Sequence, residues 1–153
     1  MFDKILYPTD FSESAAKVIA YIKTLHQVGT REVVILNVIH QRTLDTLETI
    51  HSSVFFSDGR YEQDSEKAIK ALEHDREQKL APVVEELKTH GFVVKALVKK
   101  GVPRRVILKM EAEEGVSAII MGSHGRSRKT GLLIGSVSEK VVRSSKTTVI
   151  VVK

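Results

Sequence analysis

Five short runs rich in valine and isoleucine constrain this chain most: KILYPT (4–9), EVVILNVI (32–39), FVVKALV (92–98), SAIIMG (117–122) and TTVIVV (147–152). They are nearly continuous in apolar residues rather than alternating, the pattern of strands covered on both faces in a parallel sheet. Segments of helical period lie between them. Ala15, Val18, Ile19, Ile22 and Leu25 recur at three- and four-residue steps, and Gly29 stands where such a helix would stop. A longer segment, 61–90, carries Ala68, Leu72, Leu80, Val83, Val84 and Leu87 on one stripe and ends at Gly91. Pro82 inside it is expected to kink or interrupt the helix. PRRVILKMEAEEG opens on a proline, packs through Val106, Ile107 and Met110, and closes at Gly115. SVSEKVVRSS places Ser136 and Glu139 at capping-box spacing.

Strand and helix thus alternate, and a fifth strand closes the chain. This order predicts one α/β domain over 1–153: a doubly wound, five-stranded parallel sheet with helices on both faces and right-handed crossovers. The segment 40–60, HQRTLDTLETIHSSVFFSDGR, has no clean period. It is expected to be a long excursion after the second strand and a candidate lid over a ligand.

Composition narrows the function classes. Hydrophobic residues at 42% and charged residues at 28% describe a soluble globular chain. No apolar run reaches the roughly 20 residues of a membrane helix, and MFDKILYPTD turns polar too soon for a secretory signal. With no cysteine, disulfides and thiolate chemistry are out of reach. A cytoplasmic protein is the expectation. The net charge of +5 suits an anionic partner, either a nucleic acid or a small ligand. Aromatic residues at 5%, and basic residues gathered at one glycine-rich loop, argue against a nucleic-acid stacking surface.

That loop is MGSHGRSRKTGLLIGSVSEKV, 121–141. It leaves the carboxyl end of the fourth strand and meets the last helix at Gly135-Ser136, where free amides and the helix dipole favour an anion. Gly122, Gly125 and Gly135 would let backbone approach a phosphate. Arg126, Arg128 and Lys129 offer countercharge, and Ser123, Ser127, Ser136 and Ser138 offer hydroxyls. Two familiar phosphate motifs fail. Ser123 and Arg128 stand where a P-loop needs glycine, and PTDFSES after the first strand contains no glycine for a dinucleotide fingerprint.

Gly122, Gly125 and Gly135-Ser136 reproduce G-x2-G-x9-G-[ST], which resembles the nucleotide signature of the universal stress protein family. KILYPTDFSESAAKVI, VVILNVIH, GVPRRVILKMEAEEGVSAIIMGSHGRS and TTVIVVK resemble further blocks of that family in the same order, and the resemblance covers nearly the whole chain except the 40–60 excursion. The resemblance implies an adenine nucleotide alpha hydrolase-like fold that binds ATP, with ADP and AMP not separated from it by these residues. Gly122, Ser123, His124, Gly125, Arg126, Ser127 and Arg128 would then line the ribose and phosphates. Gly135, Ser136, Val137 and Ser138 would hold phosphate oxygens. Pro8, Thr9 and Asp10 would border the adenosine, and Val38 would meet adenine through its backbone. The family also implies a homodimer paired through the last strand, 147–152.

One carboxylate, Asp10, makes a poor metal cage, so Mg²⁺ or Mn²⁺ would be carried by the phosphates and water. No catalytic triad or metalloprotease helix is present. The expected protein is therefore an ATP-binding stress-response module with weak or no hydrolysis. The alternative is a slow ATP hydrolase or nucleotidyl-transfer enzyme, for which His124 is the nearest candidate group. His26, His40, His51, His74 and His90 show no ligand spacing and are read as surface residues. Lys99, Lys100, Arg104 and Arg105 are read first as a solvated basic turn and second as part of the ligand edge.

Overall fold

A computed structural model of the chain describes residues 1–54, 61–125 and 134–153, with side chains throughout those ranges except at 51–54 and 61–62. In chain order the elements are β1 (Lys4–Pro8), α1 (Ala15–Leu25), a single tight turn at His26–Val28, β2 (Glu32–His40), α2 (Gln41–Val54), α3 (Tyr61–Thr89), β3 (Val93–Gly101), α4 (Pro103–Glu114), β4 (Ala118–Gly122), α5 (Ser136–Ser144) and β5 (Thr148–Val152). The five strands are parallel in the order β3-β2-β1-β4-β5. Strand order reverses between β1 and β4, where an open α/β sheet leaves a crevice at its carboxyl edge.

Alternate residues of each strand face opposite layers, and both layers are apolar. Ile5, Tyr7, Val33, Ile35, Ala118 and Ile120 pack against Val18, Ile19 and Ile22 of α1 and Leu80 and Leu87 of α3. Leu6, Val34, Leu36, Ile119 and Met121 pack against Ile107 and Met110 of α4 and Val141 of α5. Because both strand faces are buried, the central runs carry no polar alternation. Glycines end the helices as the sequence suggests. Gly29 and Gly115 take left-handed φ values of 108° and 60°, which relieve the backbone of a Cβ clash.

Three expectations are corrected. The 40–60 segment is not an irregular excursion, because Gln41–Val54 form α2. Leu44, Leu47, Ile50 and Val54 recur there at three- and four-residue steps that the sequence reading passed over, and Leu44 is the deeply buried side chain of the described stretch. The remainder of that segment, 55–60, lies outside the described residues. Pro82 does not interrupt α3, which is helical from Tyr61 to Thr89. Pro82 and Gln78 are exposed, so water can satisfy the Gln78 carbonyl that lacks its usual donor. The capping box at Ser136 and Glu139 does not form. Gly135 is the N-cap, no side chain caps the helix, and Glu139 pairs instead with Arg143 at 3.0 Å. Among the described residues no helix is long and apolar enough to cross a membrane.

Candidate functional site

The carboxyl ends of β1, β2 and β4 enclose a cleft of about 460 Å³, a size ordinary for a nucleotide-sized ligand. Pro8, Thr9 and Asp10 reach it from β1 and the turn beyond. Val38 reaches it from β2, and Gly122, His124 and Gly125 from the loop after β4. Gly135, Ser136, Val137 and Ser138 close it from the start of α5. Eleven of the residues expected from sequence are therefore brought to one cleft. Ser123 is not: it is 5% exposed and sits behind the wall. Its N–H donates to the Val152 carbonyl at 2.8 Å, its carbonyl accepts from Gly135, and its Oγ pairs with His124 Nδ1 at 3.0 Å. Arg126, Ser127 and Arg128 lie outside the described residues.

The start of α5 is built for an anion. Glu139 N–H is the first amide of the helix to find a partner, the Gly135 carbonyl at 2.9 Å. The amides of Ser136, Val137 and Ser138 precede it and have no intrahelical acceptor. All three residues line the cleft at the positive end of the helix dipole. The Ser138 hydroxyl, expected as a phosphate donor, instead donates to the Gly122 carbonyl at 2.9 Å and is buried. It holds the helix start against β4 and leaves backbone amides to meet the ligand.

The glycines of the signature make room first for protein atoms. A Cβ on Gly122 would stand 2.5 Å from Ser14 Oγ, and one on Gly125 would stand 2.7 Å from Asp10 Oδ2. A Cβ on Gly135 would meet the Ser123 carbonyl at 3.2 Å. The β4 loop is thus pressed onto the β1 turn and onto its own far end. Ser14 Oγ donates to the His124 carbonyl at 3.3 Å, and Ser12 and Ser14 share a hydrogen bond at 3.0 Å. On the β1 turn, Asp10 Oδ1 accepts the Ser12 N–H at 3.0 Å and Thr9 Oγ1 accepts the Phe11 N–H at 3.2 Å. Asn37 Nδ2 donates to the Thr9 carbonyl at 2.8 Å and ties β2 to the same turn. Burial pushes the Tyr7 phenol upward; its hydrogen bond with Thr9 opposes this, and the Asp10 carboxylate adds to the rise.

Several cleft residues escaped sequence reading. Ser12 and Ser14 lie in PTDFSES, where only the absence of glycine drew notice. His40, read as a surface histidine, lines the cleft together with Thr43 of α2 and Arg76 of α3. His26 is not simply surface either, since its ring meets Phe92 edge-on at 4.9 Å. Neither β2 nor α3 offers a local motif around His40 or Arg76; only the tertiary fold joins them to the glycine loop. Of the basic turn, Lys99, Lys100, Arg104 and Arg105 are exposed, and Pro103 between them touches the cleft.

The comparisons with known proteins agree with this architecture. The model of the universal stress protein family matches residues 1–153. Universal stress protein MJ0577 of Methanocaldococcus jannaschii is 35% identical over 155 residues, covering 100% of this chain and 96% of the relative. The solved structure of MJ0577 superposes with a TM-score of 0.84 at 35% identity, over 100% and 96% of the two chains. YxiE of Bacillus subtilis is 28% identical over 156 residues and covers 100% of both chains. A universal stress protein from Archaeoglobus fulgidus, solved in complex with dAMP, superposes with a TM-score of 0.63 at 17% identity, over 98% of this chain and 97% of its own. The chain belongs to the universal stress protein family.

Proposed function

We propose that the cleft binds an adenine nucleotide, ATP foremost, and that the chain acts as a homodimeric stress-response module with weak or no hydrolysis. The observation that carries this reading is the row of three amides at Ser136, Val137 and Ser138, facing the same cleft as Asp10 without an acceptor in the helix. Two fold relatives solved with dAMP and with cAMP support a nucleotide as occupant. The 5′ phosphates lie on the amides of α5 and the β4 loop, Asp10 borders the sugar, and the base reaches Val38. Among the described residues no three carboxylate or imidazole groups gather as a metal cage. Asp10 is the carboxylate at the cleft, and Mg²⁺ or Mn²⁺ would be carried largely by the phosphates and water.

The edges of the sheet support pairing through β5. The β3 edge carries exposed lysines at 95, 99 and 100, which discourage another strand from joining. The β5 edge, TVIVV, carries no charge.

Isothermal titration of the purified chain with ATP tests the function. A Kd below about 1 mM supports it, and weaker binding removes it. A slow hydrolase is the second reading, because Ser123 Oγ holds the ring of His124 on the cleft wall. Turnover above about one per second that vanishes in His124→Ala, with binding retained, would favour that reading.

A further inference from the structure

β2 runs on past β1, and the ladder between them stops one step before it has to. Leu36 pairs with Pro8, the last residue of β1, and its carbonyl accepts the Thr9 N–H at 2.9 Å. In a parallel ladder every second residue of a strand turns its N–H and C=O to the same neighbour. After Leu36 the next such residue is Val38. A continued ladder would send Val38 N–H to the Thr9 carbonyl and bring Phe11 N–H to the Val38 carbonyl.

Neither bond forms, and a side chain holds each of the two missing partners. The Thr9 carbonyl accepts from Asn37 Nδ2 at 2.8 Å, and Phe11 N–H donates to Thr9 Oγ1 at 3.2 Å. Phe11 has a φ of 61°, which turns the chain after β1 out of the sheet. Among the described residues no backbone hydrogen bond joins Val38 to β1 or to that turn. The Val38 N–H and C=O therefore face the space beyond the end of β1, where Val38 lines the cleft.

Asn37 is held there against its own stability. It is 1% exposed, and its Oδ1 is buried without a hydrogen-bond partner among the described residues. The Thr9 carbonyl can only accept, so Nδ2 is the atom that must meet it. A leucine of similar size would orphan no side-chain oxygen at this position. A residue that breaks the rule for buried polar groups beside a cleft points to a use in that cleft.

We infer that Asn37 is a positioning residue that sets base specificity. By keeping the Thr9 carbonyl for itself, it leaves Val38 N–H to donate to a ring nitrogen of the base. The Val38 carbonyl beside it accepts from the neighbouring exocyclic amine. The ligand class is a base with an acceptor nitrogen next to an amine, which adenine offers at N1 and at N7. Guanine carries a carbonyl where adenine carries that amine, and two carbonyls then oppose each other. This inference rests on the adenine-nucleotide reading above and deepens it.

The test is titration calorimetry on the whole chain, native and Asn37→Leu, with four nucleotides. These are ATP, 1-deaza-ATP and 7-deaza-ATP, each lacking one ring acceptor, and purine riboside triphosphate, which lacks the amine. One deaza analogue is expected to bind the native chain about tenfold more weakly than ATP, the scale of one hydrogen bond. Which one does so identifies the edge of the base that is read. In Asn37→Leu the Thr9 carbonyl takes Val38 N–H, so that ratio should fall to about one. The ratio of ATP to purine riboside triphosphate should persist, because the Val38 carbonyl stays open. A merely structural asparagine would weaken all four ligands alike and leave both ratios intact, which overturns the inference. So do deaza analogues that both match ATP on the native chain. If Asn37→Leu does not fold, Asn37→Ala decides by the same ratios. Failure of all four to bind would sink the adenine-nucleotide reading itself. Amide exchange of Val38 without ligand then decides the role of Asn37: unprotected in the native chain and protected in the variant is expected, and protection in both overturns it.

Discussion

Gly125 and Asp10 touch so closely that a Cβ on the glycine would stand 2.7 Å from the carboxylate Oδ2. The loop after β4 and the turn after β1 are therefore seated on each other through an absent side chain. Gly125→Ala must turn the Asp10 carboxylate away and disturb the hydrogen bond it accepts from the Ser12 N–H. The expected result is a stability loss of about 1 kcal/mol with an ATP affinity loss of about tenfold or more. Gly135→Val adds a second mechanism, since its Cβ meets the Ser123 carbonyl before any ligand. It should lower both affinity and melting temperature. Thermal unfolding beside calorimetry separates the two effects. Full affinity in folded Gly125→Ala would show that the Asp10 contact does not shape the site.

The five buried parallel strands, the helix layers on both faces and the glycine loop were legible because each is written locally. Continuous Val and Ile runs announce buried strands, and glycine spacing announces a tight loop. What sequence could not show is which atoms fill the space a glycine leaves. Gly122 and Gly125 accommodate Ser14 and Asp10, contacts that join residues more than a hundred positions apart. Arg76 was illegible for the same reason, sitting in a charged helix with no motif around it. The α2 helix escaped although Leu44, Leu47, Ile50 and Val54 keep a helical step, because polar residues and threonines crowd between them and its start abuts β2 without a break. Ser123 misled because its hydroxyl lies within a binding motif, yet all its polar groups are taken by the protein.

Pro82 lies in the interior of α3 and is exposed, so its ring contributes little packing while its missing N–H leaves a carbonyl without a helical donor. Pro82→Ala restores that donor. The expected gain is about 1–3 kcal/mol, below the full helix-interior penalty because the structure has already accommodated the ring. Urea unfolding at constant m-value measures it. A variant no more stable than the native chain would mean that proline's restriction of the unfolded state offsets the lost bond.

Glu111 fastens the start of β5 to α4. Its Oε1 accepts from Ser145 Oγ at 2.8 Å, Lys146 N–H at 2.9 Å and Thr147 N–H at 2.8 Å. Burial raises the carboxyl pKa, but the hydrogen bonds from Ser145, Thr147 and Lys146 outweigh it and hold the group below its ordinary 4.5. A depressed folded pKa contributes stability that is complete above the unfolded value. It is lost as pH falls through the folded one. Glu111→Gln should therefore cost about 1–3 kcal/mol at neutral pH, with the gap to the native chain narrowing below pH 4.5. Denaturant titrations at neutral and acid pH read this directly. An equal gap at both would place the loss in packing rather than in the charge.

Pairing through β5 makes the most exposed claim about assembly. On one side β5 bonds β4, with Ile150 opposite Ile120 and Val151 opposite Met121, and among the described residues no strand pairs its other side. Val149, Ile150, Val151 and Val152 are all only half-buried, and Val142 of the neighbouring α5 is 46% exposed. An uncharged apolar edge of this length invites a second copy to pair along it. Sedimentation of the native chain should show a dimer, and Val151→Lys should yield a folded monomer, since a charge on the edge must lose water when another strand arrives. Retained melting behaviour with a halved mass is the expected pair of results. A native monomer, or a Val151→Lys variant that remains dimeric, would move the interface away from β5.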